Sequence, residues 1–269
     1  MNRGVDGKKR WLCACVAVLV AVASVAAAGE RSISERIAGW KDGTVRLTFA
    51  ARDGVCGDGS GSISFDGSRF HSGCDDDWGW ERECEEEPVR VAVRVRDGEI
   101  VRIKTRVGGS WRGAGDGVLD LGEVSPQDAA DFLLDLAGEA RGSVAEDAIL
   151  PAILARDVVV WPRVLEIARE HSRDEDVRRS AVFWLGQLAG EKATQGLVEL
   201  VEDDDEDLEV REAAVFALSQ GRTRESLRYL MQIARTNRHP QIRKQALFWL
   251  AQRDDPEVLD LFEEILLGK

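Results

Sequence analysis

The stretch Val177-Arg178-Arg179-Ser180-Ala181-Val182-Phe183-Trp184-Leu185-Gly186-Gln187 decides the architecture of half the chain, because it returns twice. It recurs as Val210-Arg211-Glu212-Ala213-Ala214-Val215-Phe216-Ala217-Leu218-Ser219-Gln220 and again as Ile242-Arg243-Lys244-Gln245-Ala246-Leu247-Phe248-Trp249-Leu250-Ala251-Gln252, at offsets of 33 and 32 residues. The three copies share a frame. An aliphatic residue (Val177, Val210, Ile242) precedes an arginine (Arg178, Arg211, Arg243), then come an alanine (Ala181, Ala214, Ala246) and a leucine (Leu185, Leu218, Leu250). A helix that is apolar nearly all round must be covered on two sides, which neighbouring units can do. A second amphipathic segment follows each copy, in which Leu197, Leu230 and Phe262 correspond, as do Leu200, Ile233 and Ile265. The unit is therefore a helix pair, and three units span 174–204, 205–236 and 237–269.

Upstream, Ala148 to Leu154 fill the first-helix slot of a degenerate unit and Trp161 to His171 the second. Pro151 is expected to kink or break that helix, in keeping with a capping role. Ser125-Pro126 is a helix start, serine as N-cap and proline at the first helical position. Residues 125–173 are thus a helical connector plus a capping repeat.

Before residue 125 the period changes from helical to two. Thr44 to Ala51, Ser62 to Phe65, Arg69 to His71, Pro88 to Arg96 and Glu99 to Val107 read as strands separated by Gly/Asp turns. Ser32 and Glu35 have capping-box spacing, which places a short helix over Ser32 to Ala38. In the hairpin around Asp97-Gly98, a two-residue turn sets Val93 opposite Arg102 and puts the two apolar sets on opposite faces. A three-residue loop, Arg96-Asp97-Gly98, pairs Val93 with Val101 and Val91 with Ile103 instead, and is the expected form. The other face then carries Arg90, Arg94, Arg102, Lys104 and Arg106. Like charges facing each other across strands destabilise a pair, so the acidic run Asp75, Asp76, Asp77, Glu81, Glu83, Glu85, Glu86 and Glu87 is expected to cover them. The fold class expected is α+β multidomain: a small antiparallel β domain over 29–124, then an α-helical solenoid, an α-α superhelix.

The repeat frame resembles the HEAT-repeat superfamily in its short form, found in bacterial proteins and phycobilisome-lyase-like domains. The resemblance covers about residues 145–269, and the whole layout is similar to exported HEAT-repeat proteins of high-GC bacteria. It implies protein–protein scaffolding, with second helices that commonly line the concave wall. It carries over no catalytic residue and no lyase chemistry.

Residues 1–28 read as a signal peptide. Lys8-Lys9-Arg10 is a basic start, Trp11 to Ala23 is apolar, and Ala26-Ala27-Ala28 matches a small-residue cleavage site, so the cut falls between Ala28 and Gly29. An uncleaved anchor over Leu12 to Ala28 is the alternative; after cleavage no span remains. The destination is periplasmic or secreted. Net charge is −13, of which residues 1–28 contribute +3, leaving −16. That balance disfavours nucleic acid and anionic lipid. Export makes a disulfide the natural state of Cys56, Cys74 and Cys84. The expected pair is Cys56–Cys84, with Cys74 as the alternative partner.

Few residues point to chemistry. Asp75, Asp76 and Asp77 are weak calcium candidates, since the Asp-x-Asp-x-Asp-Gly frame is missing. The recurring arginines read as structural, bonding an acid or carbonyl of the adjoining unit. Phe183, Phe216, Phe248, Trp184 and Trp249 read as inter-repeat core. Glu202 to Glu206, Asp207 and Glu209 form an acidic turn, either solvated or a docking patch for a basic partner. His71, His171 and His239 sit in no nucleophile arrangement. The expectation is a non-enzymatic scaffold with no cofactor, whose partner is another protein or peptide. The alternative is a ligand- or calcium-binding β domain with the solenoid as a stalk.

Overall fold

The computed structural model describes residues 31–269 except 66–67, 72–83, 114, 189–190, 222 and 268–269. Helix α1 (Ile33–Ile37) opens it, and both arms of the capping box form: Ser32 Oγ accepts from Glu35 N, and Glu35 Oε2 accepts from Ser32 N. Strands follow as β1 (Gly43–Phe49), β2 (Val55–Gly57), β3 (Ser62–Phe65), β4 (Ser68–His71), β5 (Val89–Arg96), β6 (Glu99–Val107) and β7 (Val118–Glu123). They form a four-stranded sheet in the order β6-β5-β1-β7 and a three-stranded sheet β2-β3-β4. Pairing is antiparallel except between β1 and β7, which run parallel. The sequence pattern gave no signal for β2 or β7, which are short or interrupted by glycine.

The hairpin corrects the expected three-residue loop. Arg96 pairs with Glu99, so the turn has two residues, and Asp97 (φ 53°) and Gly98 (φ 83°) both take the positive φ that a type I′ turn needs. The face conflict that argued against this turn is removed by a β-bulge. Val95 pairs with Ile100 but Arg94 with Arg102, leaving Val101 as an extra residue, 41% exposed. From there Val93 pairs with Ile103 and Val89 with Val107, and all four are buried. The bulge thus restores the inward set that the turn alone would have inverted.

Arg90 does not wait for an acidic cover. It is 3% exposed and donates to three backbone carbonyls, Gly108 O at 2.7 Å, Ser110 O at 2.8 Å and Gly59 O at 2.7 Å. Its guanidinium carbon also lies 5.2 Å from the Trp111 ring, with Arg46 at 4.9 Å. Gly109 takes φ 66° in this nest, and a Cβ there would sit 2.9 Å from the guanidinium. Within the acidic run, Glu85 accepts from Gly109 N and Glu87 pairs with Arg156. Asp75 to Glu83 lie outside the described residues.

Cys56 and Cys84 are disulfide-bonded. They meet because Gly57 and Glu85 exchange backbone hydrogen bonds of 2.8 Å in an isolated antiparallel bridge, not because β1 and β5 are neighbours. Cys74 is outside the described residues. The bond closes a separation of 28 residues, so reducing it, or the double change Cys56→Ser/Cys84→Ser, should cost on the order of 3–4 kcal/mol. Chemical denaturation with and without reductant measures this; an unchanged midpoint would refute it.

Nine helices follow among the described residues: α2 (Pro126–Glu139), α3 (Gly142–Ile153), α4 (Trp161–Arg169), α5 (Glu175–Gln187), α6 (Glu191–Glu202), α7 (Leu208–Gln220), α8 (Arg224–Thr236), α9 (Pro240–Leu250) and α10 (Pro256–Leu267). Ser125 caps α2 by accepting from Asp128 N, with Pro126 next. Helix α3 runs through Pro151 and ends two residues later. The proline terminates rather than breaks it, since only the last turn lies beyond. First helices α3, α5, α7 and α9 stack in one row and α2, α4, α6 and α8 in a second, each second helix also touching the next first helix.

One core runs from strands to helices. Helix α3 packs against β6, and residue 155 acts as a short extra strand. Ala51 bridges Ala155, Arg52 N donates to Leu154 O, and Arg156 N donates to Ala50 O. No described helix is long and apolar enough to cross a membrane.

Candidate binding surface

The frame residues line the seam between first helices. Val177, Val210 and Ile242, Ala181, Ala214 and Ala246, and Leu185, Leu218 and Leu250 are all buried. Helix α5 approaches α7 closely, and a Cβ on Gly186 would stand 2.7 Å from that of Ala217.

The recurring arginines close the gap to the preceding second helix. Arg178 Nε donates to Ala168 O at 2.9 Å, and Arg211 Nε to Val201 O at 3.0 Å. Arg243 makes the same move one turn on, to Asn237 O at 2.7 Å and Arg238 O at 3.1 Å. The last carbonyls of a helix lack intrahelical donors and carry its negative pole, so a guanidinium fits there. Arg178 and Arg211 are 1% and 4% exposed, which rules out a cationic stripe at these positions.

The acidic turn supplies the other half of these contacts. Arg178 holds Glu206 and, at 2.6 Å, Asp207; Arg211 holds Asp204 at 3.3 Å. The Glu206 side chain is buried, its Oε1 also accepts from Asp207 N at 2.7 Å, and its Oε2 has no partner. His171 Nε2 lies 3.8 Å from it. Part of the turn is therefore an internal clamp between units. Asp203 and Asp205 stay exposed.

Second helices are laced together at every step. Arg163 on α4 reaches Asp131 and Asp135 on α2; Arg169 on α4 pairs with Glu199 on α6. Gln232 on α8 donates to Glu202 on α6, and Arg224 and Arg235 on α8 pair with Glu257 and Glu264 on α10. The hydrogen bond from Arg235 holds the Glu264 carboxyl below the usual range. Sequence reading missed this ladder, although its signal was present. The ion-paired residues stand 28 to 33 positions apart, close to one repeat period. Each exposed pair contributes little, but together they hold the row in register. Glu166, Arg228, Asp260 and Glu263 project from the same row, exposed and outside the ladder.

Aromatic packing departs from expectation at the far end. Phe216 meets Trp249 at 5.0 Å across α7 and α9, and Trp184 is buried beside Phe183. Phe248 is 53% exposed, however, and Ile265 is exposed where Leu200 and Ile233 are buried.

Catalytic geometry does not assemble among the described residues. A cleft of about 640 Å³ between Arg52, Asp53, Ala155, Asp157 to Trp161 and Lys192 is lined, among the described residues, by no serine, threonine, cysteine or histidine. His171 bonds Arg169 O, and neither it nor His239 shares a hydrogen bond with a serine or cysteine. No group of three or more His, Cys, Asp and Glu among those residues is placed to hold a metal. Asp75, Asp76 and Asp77 fall outside them.

A comparison with curated proteins gives no match. Residues 162–247, from α4 into α9, match the family model for HEAT repeats, and the helical half of this chain therefore contains a HEAT-repeat domain.

Proposed function

We propose that the chain is a non-enzymatic interaction protein, exported to the periplasm or beyond, which holds another protein or peptide on the row of second helices. HEAT repeats commonly serve as such surfaces. The observation that carries the reading is the cross-repeat ladder. It fixes α2, α4, α6, α8 and α10 as one platform, while Glu166, Arg228, Asp260 and Glu263 remain free to meet a partner. Glu199 is less suited to a test, because reversing it would break its pair with Arg169.

A photo-crosslinking residue at Arg228 and another at Glu263, in the full chain expressed from its own start, should capture one and the same protein. The captured material should begin near Gly29 and lie outside the cytoplasm. Arg228→Glu with Glu263→Lys should reduce capture about tenfold without shifting the melting temperature, since both side chains are surface residues away from packing. Crosslinks that form only from the β strands would overturn the assignment.

A further inference from the structure

The outward face of the four-stranded sheet carries charge that the described residues leave largely unpaired. Arg94 stands directly opposite Arg102, Arg90 opposite Arg106, and Lys104 opposite Ala92. Arg94, Arg96, Arg102 and Lys104 are exposed and, with Thr44, Ala92 and Val101, line an open groove of about 500 Å³. No acid lines it. Arg94 donates weakly to Thr44 Oγ1 at 3.4 Å, and among the described residues the side chains of Arg96, Arg102, Lys104 and Arg106 have no hydrogen-bond or ion-pair partner. Two acids stand near the rim: Glu99, opposite Arg96, and Asp147 on α3, which feels Arg102 electrostatically.

Protection of a free edge explains part of this. Strand β6 is at the sheet edge, where cations discourage pairing with other chains. That account covers Arg102, Lys104 and Arg106 but not Arg94, which lies on the interior strand β5. Facing like charges oppose folding, and they do so here in a chain of net charge −13.

We infer that this groove binds a short carboxylate-rich peptide segment of a partner. The patch is small and the chain as a whole carries a net charge of −13, so a large polyanion meets net repulsion beyond about one Debye length, roughly 8 Å at physiological salt. A nucleic acid or an anionic bilayer extends past that limit, whereas a few acidic residues in extended form do not. Carboxylates on alternate residues match the alternation of Arg94 and Arg96 on β5 and of Arg102 and Lys104 on β6. Ala92 and Val101 offer apolar floor to glutamate methylenes. This site is separate from the second-helix row, so either assignment stands without the other.

The test is fluorescence anisotropy of labelled hexaglutamate titrated with the full chain. Wild type should bind, and binding should weaken about tenfold between about 20 and about 200 mM salt. Arg94→Gln/Arg102→Gln/Lys104→Gln should lose at least about tenfold in affinity while melting at the same temperature or higher, because repulsion is relieved. Absence of wild-type binding, or a triple variant that binds as wild type does, would overturn the proposal. Stronger binding of a thymidine hexanucleotide, or of vesicles containing phosphatidylglycerol, would overturn the peptide assignment.

Discussion

Arg178→Ala should destabilise the solenoid by about 3–5 kcal/mol, because removing one member of a buried ion pair strands the other. Arg178 is fully buried and spends its guanidinium on Ala168 O, Glu206 and Asp207. Alanine would leave Glu206, already short of a partner at Oε2, without its guanidinium in a site where its side chain is buried and the His171 ring lies near. The Asp207 arm matters less, since that side chain is 56% exposed. Arg178→Lys should fall between, as an ammonium on a flexible stem cannot span the carbonyl and both carboxylates in one fork. Arg178→Met combined with Glu206→Leu should recover most of the loss, since an apolar pair of similar volume replaces the ion pair. Denaturant midpoints decide this. A loss below about 1 kcal/mol for the alanine variant would mean that water enters the site and the clamp is not closed.

Truncation after Thr236 should have the other large effect. It removes α9 and α10, and with them the buried side chains of Ile242, Ala246 and Leu250 and the Trp249 ring that covers Phe216. Leu218, now buried, would face water. Asn237 would go too, and with it the Nδ2 contact to Val201 O at the end of α6. Two or three aliphatic side chains' worth of re-exposed surface is about 4–6 kcal/mol, and a nearest-neighbour array has no other way to replace it. The melting temperature should drop by about 10 °C or more, and capture through Arg228 should fall with it. A truncated chain that melts like the full one would show that the last unit is a passive appendage.

The repeats were legible in the sequence because their burial is periodic. The residues that stack α5 on α7 and α7 on α9 recur 33 and 32 positions apart, and nothing local competes with that signal. The Cys56–Cys84 pairing was also legible, though through the wrong neighbour. What the sequence hid was decided by tertiary contact. The short β2 pairs with β3, and Gly57 at its end also bridges Glu85 and passes close to Val107; β7 joins in parallel only after the chain has gone round the Trp111 loop. Arg90 looked like an outward charge because alternation places it with Arg94, yet a nest of carbonyls buries it. Phe248 follows the repeat pattern faithfully, yet it is exposed where Phe183 and Phe216 are half-buried. On the second helices, many charged residues are bound to the next unit rather than left to solvent, which no local pattern announces.

Val101 gives the hairpin an uncommon tolerance of change in length. In a strand, losing one residue normally exchanges the two faces of everything beyond it. Here Ile100 already points inward opposite Val95, and Arg102 already points outward opposite Arg94. A lineage that dropped the intervening residue would heal the ladder into unbroken alternation, with Ile103 and Val107 still inside and Lys104 and Arg106 still outside. Homologues one residue shorter beside this turn can therefore keep the same core and the same charged face, and an alignment gap there marks no difference in fold.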